Sequence, residues 1–95
     1  MTVLVETQAG VATLTLSRPE SRNALNLAMC EALRAAADGL DPSVKLVFVR
    51  ATGPVFCAGA DLKEREGMSA EQVRERRRKA FAAYAALEAL PMPAI

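Results

Sequence analysis

The segment GPVFCAGADLKE, residues 53–64, constrains this chain more than any other. It follows a continuous apolar run between two charges, KLVFVR (45–50), and leads into helix formers. That order predicts strand, tight connection, helix. Its centre, Cys57-Ala58-Gly59-Ala60, offers no conventional acid, base or strong ligand apart from Cys57. Two readings stand: a plain strand-to-helix turn, or a site where the main chain is the reactive element. Gly59 permits a backbone conformation closed to other residues. Ala58 and Ala60 leave the peptide groups accessible. A helix starting near Asp61 would present unpaired N–H donors, with partial positive charge from its dipole. Such a place suits an oxyanion, or a carbonyl about to become one.

The remaining elements alternate strand and helix. TVLVET (2–7) is β-branched, and VATLTLS (11–17) alternates, with Ala12, Leu14 and Leu16 on one face. Joined by Gln8-Ala9-Gly10, they predict a hairpin. RPESRNALN (18–26) is a polar loop, and Asn26 is placed to N-cap the next helix. That helix carries Met29, Leu33, Ala37 and Leu40 at helical spacing, and Gly39 with Asp41-Pro42 ends it. KLVFVR suits a strand covered on both faces. Ser69 and Gln72 have the Ser-x-x-Gln pattern of a capping box, flanked by Met68 and Val73 as a hydrophobic staple. The helix they open carries a stripe of Val73, Ala80, Phe81, Tyr84 and Leu87, and its aromatics are expected in the core, with a ligand-pocket wall as the alternative. Its basic run RERRRK (74–79) suits a solvated face or a phosphate-contacting patch. Pro91 and Pro93 end the helix, and Ala94-Ile95 look like the opening of another strand. A chain of 95 residues that stops there is expected to be the N-terminal piece of something longer.

Composition narrows the function classes. A net charge of +1 and only four aromatics, Phe48, Phe56, Phe81 and Tyr84, give no footprint for nucleic acid. Cys30 and Cys57 lack metal or redox spacing, and there is no histidine. Free thiols are expected, with no metal. No apolar run approaches the roughly 20 residues that span a bilayer. The N-terminus has neither the basic start nor the apolar core of a signal peptide. A cytoplasmic protein without membrane partners is the default.

LSRPESRNALN (16–26), followed about thirty residues later by FCAGADLKE (56–64), resembles the enoyl-CoA hydratase/isomerase (crotonase) family. The closing PMPAI resembles the segment before that family's second glycine-rich motif. The resemblance covers essentially the whole chain. It implies an α/β fold, a crotonase-like spiral of β-β-α units with strands in two roughly perpendicular sheets. Residues 1–95 would be the N-terminal part of a single domain of this kind.

The resemblance also implies a ligand and a site. The ligand is an acyl-CoA thioester, with coenzyme A as part of the substrate and no separate cofactor. Two backbone N–H groups hold the thioester oxygen as charge builds on it. Ala60 matches the first donor, and the second belongs to a later glycine that this sequence does not contain. Arg22 and Ala24 would lie near the adenine and phosphates, and Ala58, Ala60, Asp61, Leu62 and Lys63 along the nucleotide and pantetheine path. Arg22 and Lys63 are candidate phosphate partners. Arg22 also suits a solvated loop charge, and Asp61 a helix cap, which is compatible with a ligand role. Glu64, Glu66 and Glu71 receive no proton-transfer role, and suit a surface or a helix start. The implied reaction is foremost hydration of a 2-enoyl thioester, with isomerase, dehalogenase and decarboxylase as alternatives. A different class of reading is a non-catalytic binding or assembly piece. The 95-residue chain by itself is expected to be inactive, and the full-length protein to form a homo-oligomer, a trimer or hexamer.

Overall fold

The computed structural model describes residues 2–95. Strands β1 (Val3–Gln8) and β2 (Val11–Leu16) form an antiparallel hairpin closed by Ala9 and Gly10. Both turn residues have positive φ, 53° and 82°. That is the tight two-residue turn whose twist matches the strands it joins. The alternation of β2 is realised as expected: Ala12, Leu14 and Leu16 are all buried.

Helix α1 (Leu27–Asp38) crosses over from β2 to β3 (Leu46–Ala51), which pairs parallel to β2. Asn26 caps α1 through its side chain, which accepts from the Met29 N–H at 2.8 Å. Helix α1 buries Met29, Cys30, Leu33 and Ala37. After a single helical turn, α2 (Leu62–Arg65), comes the long helix α3 (Ala70–Glu88). The expected capping box opens α3: the Gln72 N–H donates to Ser69 Oγ (3.2 Å), and the Ser69 N–H to Gln72 Oε1 (2.9 Å). Helices α1 and α3 pack together, and one core joins them to β2 and β3 through Leu14, Met29, Leu33, Val47, Ala80 and Ala83. Beyond α3 the chain returns to β3. The Val47 N–H donates to the Pro93 carbonyl and the Ile95 N–H to the Val47 carbonyl, both at 2.9 Å; this bridge starts the further strand expected from the sequence and sets it parallel to β3.

Two expectations need correction. Strand β3 is not covered on both faces within this chain. Val47 and Val49 point toward the helices, but Phe48 lies on the opposite, exposed face together with Leu4. The aromatics of α3 are not core residues either. Phe81 is 61% exposed and Tyr84 44%. The buried line of α3 runs instead through Arg76, Ala80 and Ala83, because small side chains let α3 approach its neighbours closely. Phe81 and Tyr84 form a flanking tilted pair, with centroids 6.3 Å apart. No helix among the described residues is long and apolar enough to cross a membrane.

Candidate active site

The polar loop after β2 folds around Asn23. A 3-10 turn (Pro19–Ser21) leads into Arg22 and Asn23, both with positive φ (56° and 55°). Asparagine tolerates that region better than most residues. Asn23 is fully buried. Its Oδ1 accepts from the Arg18 N–H (2.7 Å), and its Nδ2 donates to the carbonyls of Thr52 and Val55 (2.8 Å each). One amide thus ties the loop to the segment that follows β3.

Further along, the two segments pair as a short parallel ladder. The Ala58 N–H donates to the Arg22 carbonyl (3.1 Å), and the Leu25 N–H to the Gly59 carbonyl (2.7 Å). The Asp61 N–H donates to the Leu25 carbonyl (3.1 Å). Leu25 and Ala60 form the bridge. In this pattern the hydrogen bonds flank Ala60 without using it, so its own N–H and C=O face away from Leu25. The Ala60 N–H has no acceptor among the described residues. Gly59 makes the approach possible by its φ of +95°. A Cβ there would meet nothing within 4 Å, so the position demands a conformation and not space.

Asp61 caps α2, accepting from the N–H groups of Lys63 (3.1 Å) and Glu64 (3.2 Å). It also pairs with Arg18 (3.1 Å), whose guanidinium donates to the Ala24 carbonyl as well. Burial pushes the Asp61 carboxyl up, but the Glu64 N–H, the Arg18 guanidinium and the Lys63 N–H outweigh it and hold the carboxyl below its ordinary range. With only four residues, α2 has little dipole to offer. The expected helix-dipole contribution is therefore minor, and what the site offers is the unpaired Ala60 N–H.

All seven residues singled out from the sequence, Arg22, Ala24, Ala58, Ala60, Asp61, Leu62 and Lys63, line one open groove of about 620 Å³, together with Arg18, Glu20 and Ser21. Arg22 and Lys63 are exposed and take part in no ion pair among the described residues. Ala60 also borders a smaller cleft, about 180 Å³, against α3, where Val73, Phe81 and Tyr84 alternate with Arg65, Arg76 and Arg77. A third, mainly apolar pocket of about 300 Å³ lies by Gly59, Phe56 and Leu87. Ala60 therefore sits where a polar groove meets a partly aromatic cleft.

The basic run of α3 divides. Arg76 is 5% exposed. Its Nε donates to Glu64 Oε1 (3.0 Å), and its Nη2 to the Leu25 carbonyl. The same Glu64 carboxylate accepts the Leu27 N–H (2.9 and 3.0 Å). Arg78 pairs with Glu75 and Lys79 with Glu31, each at 2.6 Å. Glu64, expected at a surface or helix start, is instead a junction of three elements. Asn23, Arg18, Glu64 and Arg76 are the residues that sequence reasoning missed. For Arg76 a signal existed, since it occupies the apolar stripe between Val73 and Ala80. Cys30 is buried and Cys57 partly buried, both free as expected. No cluster suited to a metal ion occurs among the described residues.

A β-hairpin, a crossover helix to a parallel strand, and two loops laddered around a bare peptide N–H define a β-β-α fold of the crotonase type. A family profile described as enoyl-CoA hydratase/isomerase matches residues 6–95. The chain belongs to the enoyl-CoA hydratase/isomerase family. It is 38% identical over 90 residues to the probable mitochondrial enoyl-CoA hydratase 2 of Arabidopsis thaliana, covering 92% of this chain and 30% of that protein. It is 36% identical over 95 residues to the human mitochondrial methylglutaconyl-CoA hydratase, covering 97% and 28%. The solved enoyl-CoA hydratase of Mycobacterium smegmatis superposes with a TM-score of 0.94 at 40% identity, over 99% of this chain and 38% of that one. The chain thus spans less than a third of these curated relatives.

Proposed function

We propose that this chain supplies the coenzyme A groove and one oxyanion donor of an enoyl-CoA hydratase, which adds water across the 2,3 double bond of an enoyl thioester. The observation that carries the reading is the unpaired Ala60 N–H, placed between a groove with two unpaired cations and a cleft bordered by aromatic and arginine side chains. The phosphates lie toward Arg22 and Lys63, and the acyl group passes Ala60 toward Phe81 and Tyr84. Attack of water at C3 drives charge onto the thioester oxygen. A preorganised N–H stabilises that charge without reorganisation, and losing one such donor typically costs about 3 kcal/mol. Family membership and the names of the relatives support the reaction class.

Within this reading, coenzyme A arrives as part of the substrate and no further cofactor is needed. Glu64 is committed to Arg76 and Leu27, so it is not the free carboxylate that general acid–base catalysis requires. We assign the proton transfers and the second donor to residues outside 1–95, and expect residues 1–95 alone not to hydrate crotonyl-CoA. Assembly as a homo-oligomer, a trimer or hexamer, belongs to the same proposal. The uncovered face bearing Leu4 and Phe48 supports contact with further protein.

The decisive experiment replaces the Ala60 peptide by an ester, through semisynthesis of the full-length protein with lactate at that position. This removes the N–H and keeps the side chain. A loss of about 10²-fold or more in kcat is expected, with coenzyme A binding retained. An ester variant with unchanged kcat would overturn the role of Ala60.

A further inference from the structure

The geometry points to Arg76 as a positioning residue for the Ala60 donor, acting through the Leu25 carbonyl. This inference rests on the oxyanion reading of Ala60 given above. Arg76 occupies an apolar-stripe position of α3 and is nearly inaccessible. A buried ion pair is a weak source of stability, and well-packed apolar residues often replace one without loss. What the Arg76–Glu64 pair supplies, and an apolar side chain would not, is direction. Arg76 Nη2 donates to the Leu25 carbonyl, and Glu64 accepts the Leu27 N–H. These two backbone groups flank Asn26, the N-cap of α1.

Leu25 is the residue that frames Ala60. Its N–H holds the Gly59 carbonyl, and its carbonyl holds the Asp61 N–H. That carbonyl is thus shared by Asp61 and Arg76, so α3 fixes one side of the bridge whose other side is Ala60. Arg76 also borders the cleft into which Ala60 opens. Nε and Nη2 are taken by Glu64 and Leu25, and through them Arg76 acts on the site by way of the backbone. The planar fork is needed because its separate nitrogens serve two acceptors at once, which a lysine ammonium on a flexible stem does less well.

The test compares R76M, R76K and E64Q with the unmutated full-length protein. R76M should lower kcat for a short enoyl-CoA by about ten- to a hundredfold, since small misplacements of a catalytic group cost that much. KM and coenzyme A affinity should stay within about threefold, because the groove cations are untouched. R76K should recover thermal stability through Glu64 but not kcat. E64Q should fall between the two. A purely structural role predicts the reverse: kcat per folded molecule unchanged in R76M, or full rescue by R76K, and either result overturns the inference. The infrared stretch of a 13C-labelled thioester carbonyl separates the two layers of argument. No lowering of that frequency on binding to the unmutated protein would sink the oxyanion reading itself. Equal lowering in unmutated, R76M and R76K proteins would sink only the role of Arg76. Should R76M fail to fold, R76K and E64Q carry the same comparison.

Discussion

Leu25 and Ala60 face each other across a parallel bridge in which Leu25 spends both its backbone groups and Ala60 spends neither on its partner. The asymmetry is what leaves a donor open in an otherwise paired ladder.

Gly59 holds φ at +95° with open space around it. Gly59→Ala should therefore cost only conformational strain, about 1–2 kcal/mol, with no clash to relieve. Thermal unfolding measures the loss. Because the strain falls beside Ala60, affinity for acyl-CoA should drop as well, and a variant that binds and unfolds like the parent would contradict this account.

Asn23→Ala removes three hydrogen bonds from a fully buried side chain. It leaves the Arg18 N–H and the Thr52 and Val55 carbonyls without those partners. A destabilisation of about 3 kcal/mol is expected from such orphaned groups. Urea titration followed by circular dichroism should register it as a lower midpoint.

Asp61 governs part of the acid limb of stability. Its pKa falls on folding from an ordinary 3.8. The unfolded chain therefore binds more protons in the window below 3.8, and stability rises with pH there. The contribution is complete above that value and is lost as pH falls through the lower folded one. Asp61→Asn keeps a capping oxygen but no titrating charge, so its unfolding midpoint should vary less between pH 5 and pH 2. Parallel acid limbs in parent and variant would exclude Asp61 as a contributor.

Arg22 and Lys63 are exposed, so each should contribute modestly to phosphate binding. Arg22→Ala or Lys63→Ala is expected to weaken coenzyme A about two- to fivefold at low salt, with the difference shrinking as salt rises. Pantetheine, which lacks the nucleotide, should bind parent and variants alike. Calorimetric titration of the two ligands makes the comparison.

Local signals were legible in the sequence, and distant ones were not. The alternation of β2, the Asn26 cap and the Ser69–Gln72 box each depend on residues within a few positions, so spacing alone finds them. All seven groove residues were reached through motif resemblance, and the ladder then brought them together. Arg76 reads as one more charge in RERRRK because its partners, Glu64 and Leu25, lie 12 and 51 residues away. Asn23 reads as loop polarity until Thr52 and Val55 come against it. Phe81 and Tyr84 were misplaced for a different reason. Helical spacing puts aromatics and alanines on one stripe, and close helix packing selects Ala80 and Ala83 from it. The apolar run of β3 likewise describes a strand that wants cover on both faces, and this chain covers one.

The open donor belongs to a peptide group, and that has a practical consequence. Alanine scanning is blind at this spot: the residue is already alanine, and every exchange by another amino acid except proline leaves the N–H in place. A mutational survey would record position 60 as tolerant wherever the new side chain fits, while penalising Gly59, Asn23 and Arg76 around it. The locus would then show up as an unremarked gap encircled by sensitive neighbours, and the ring is the signature to look for.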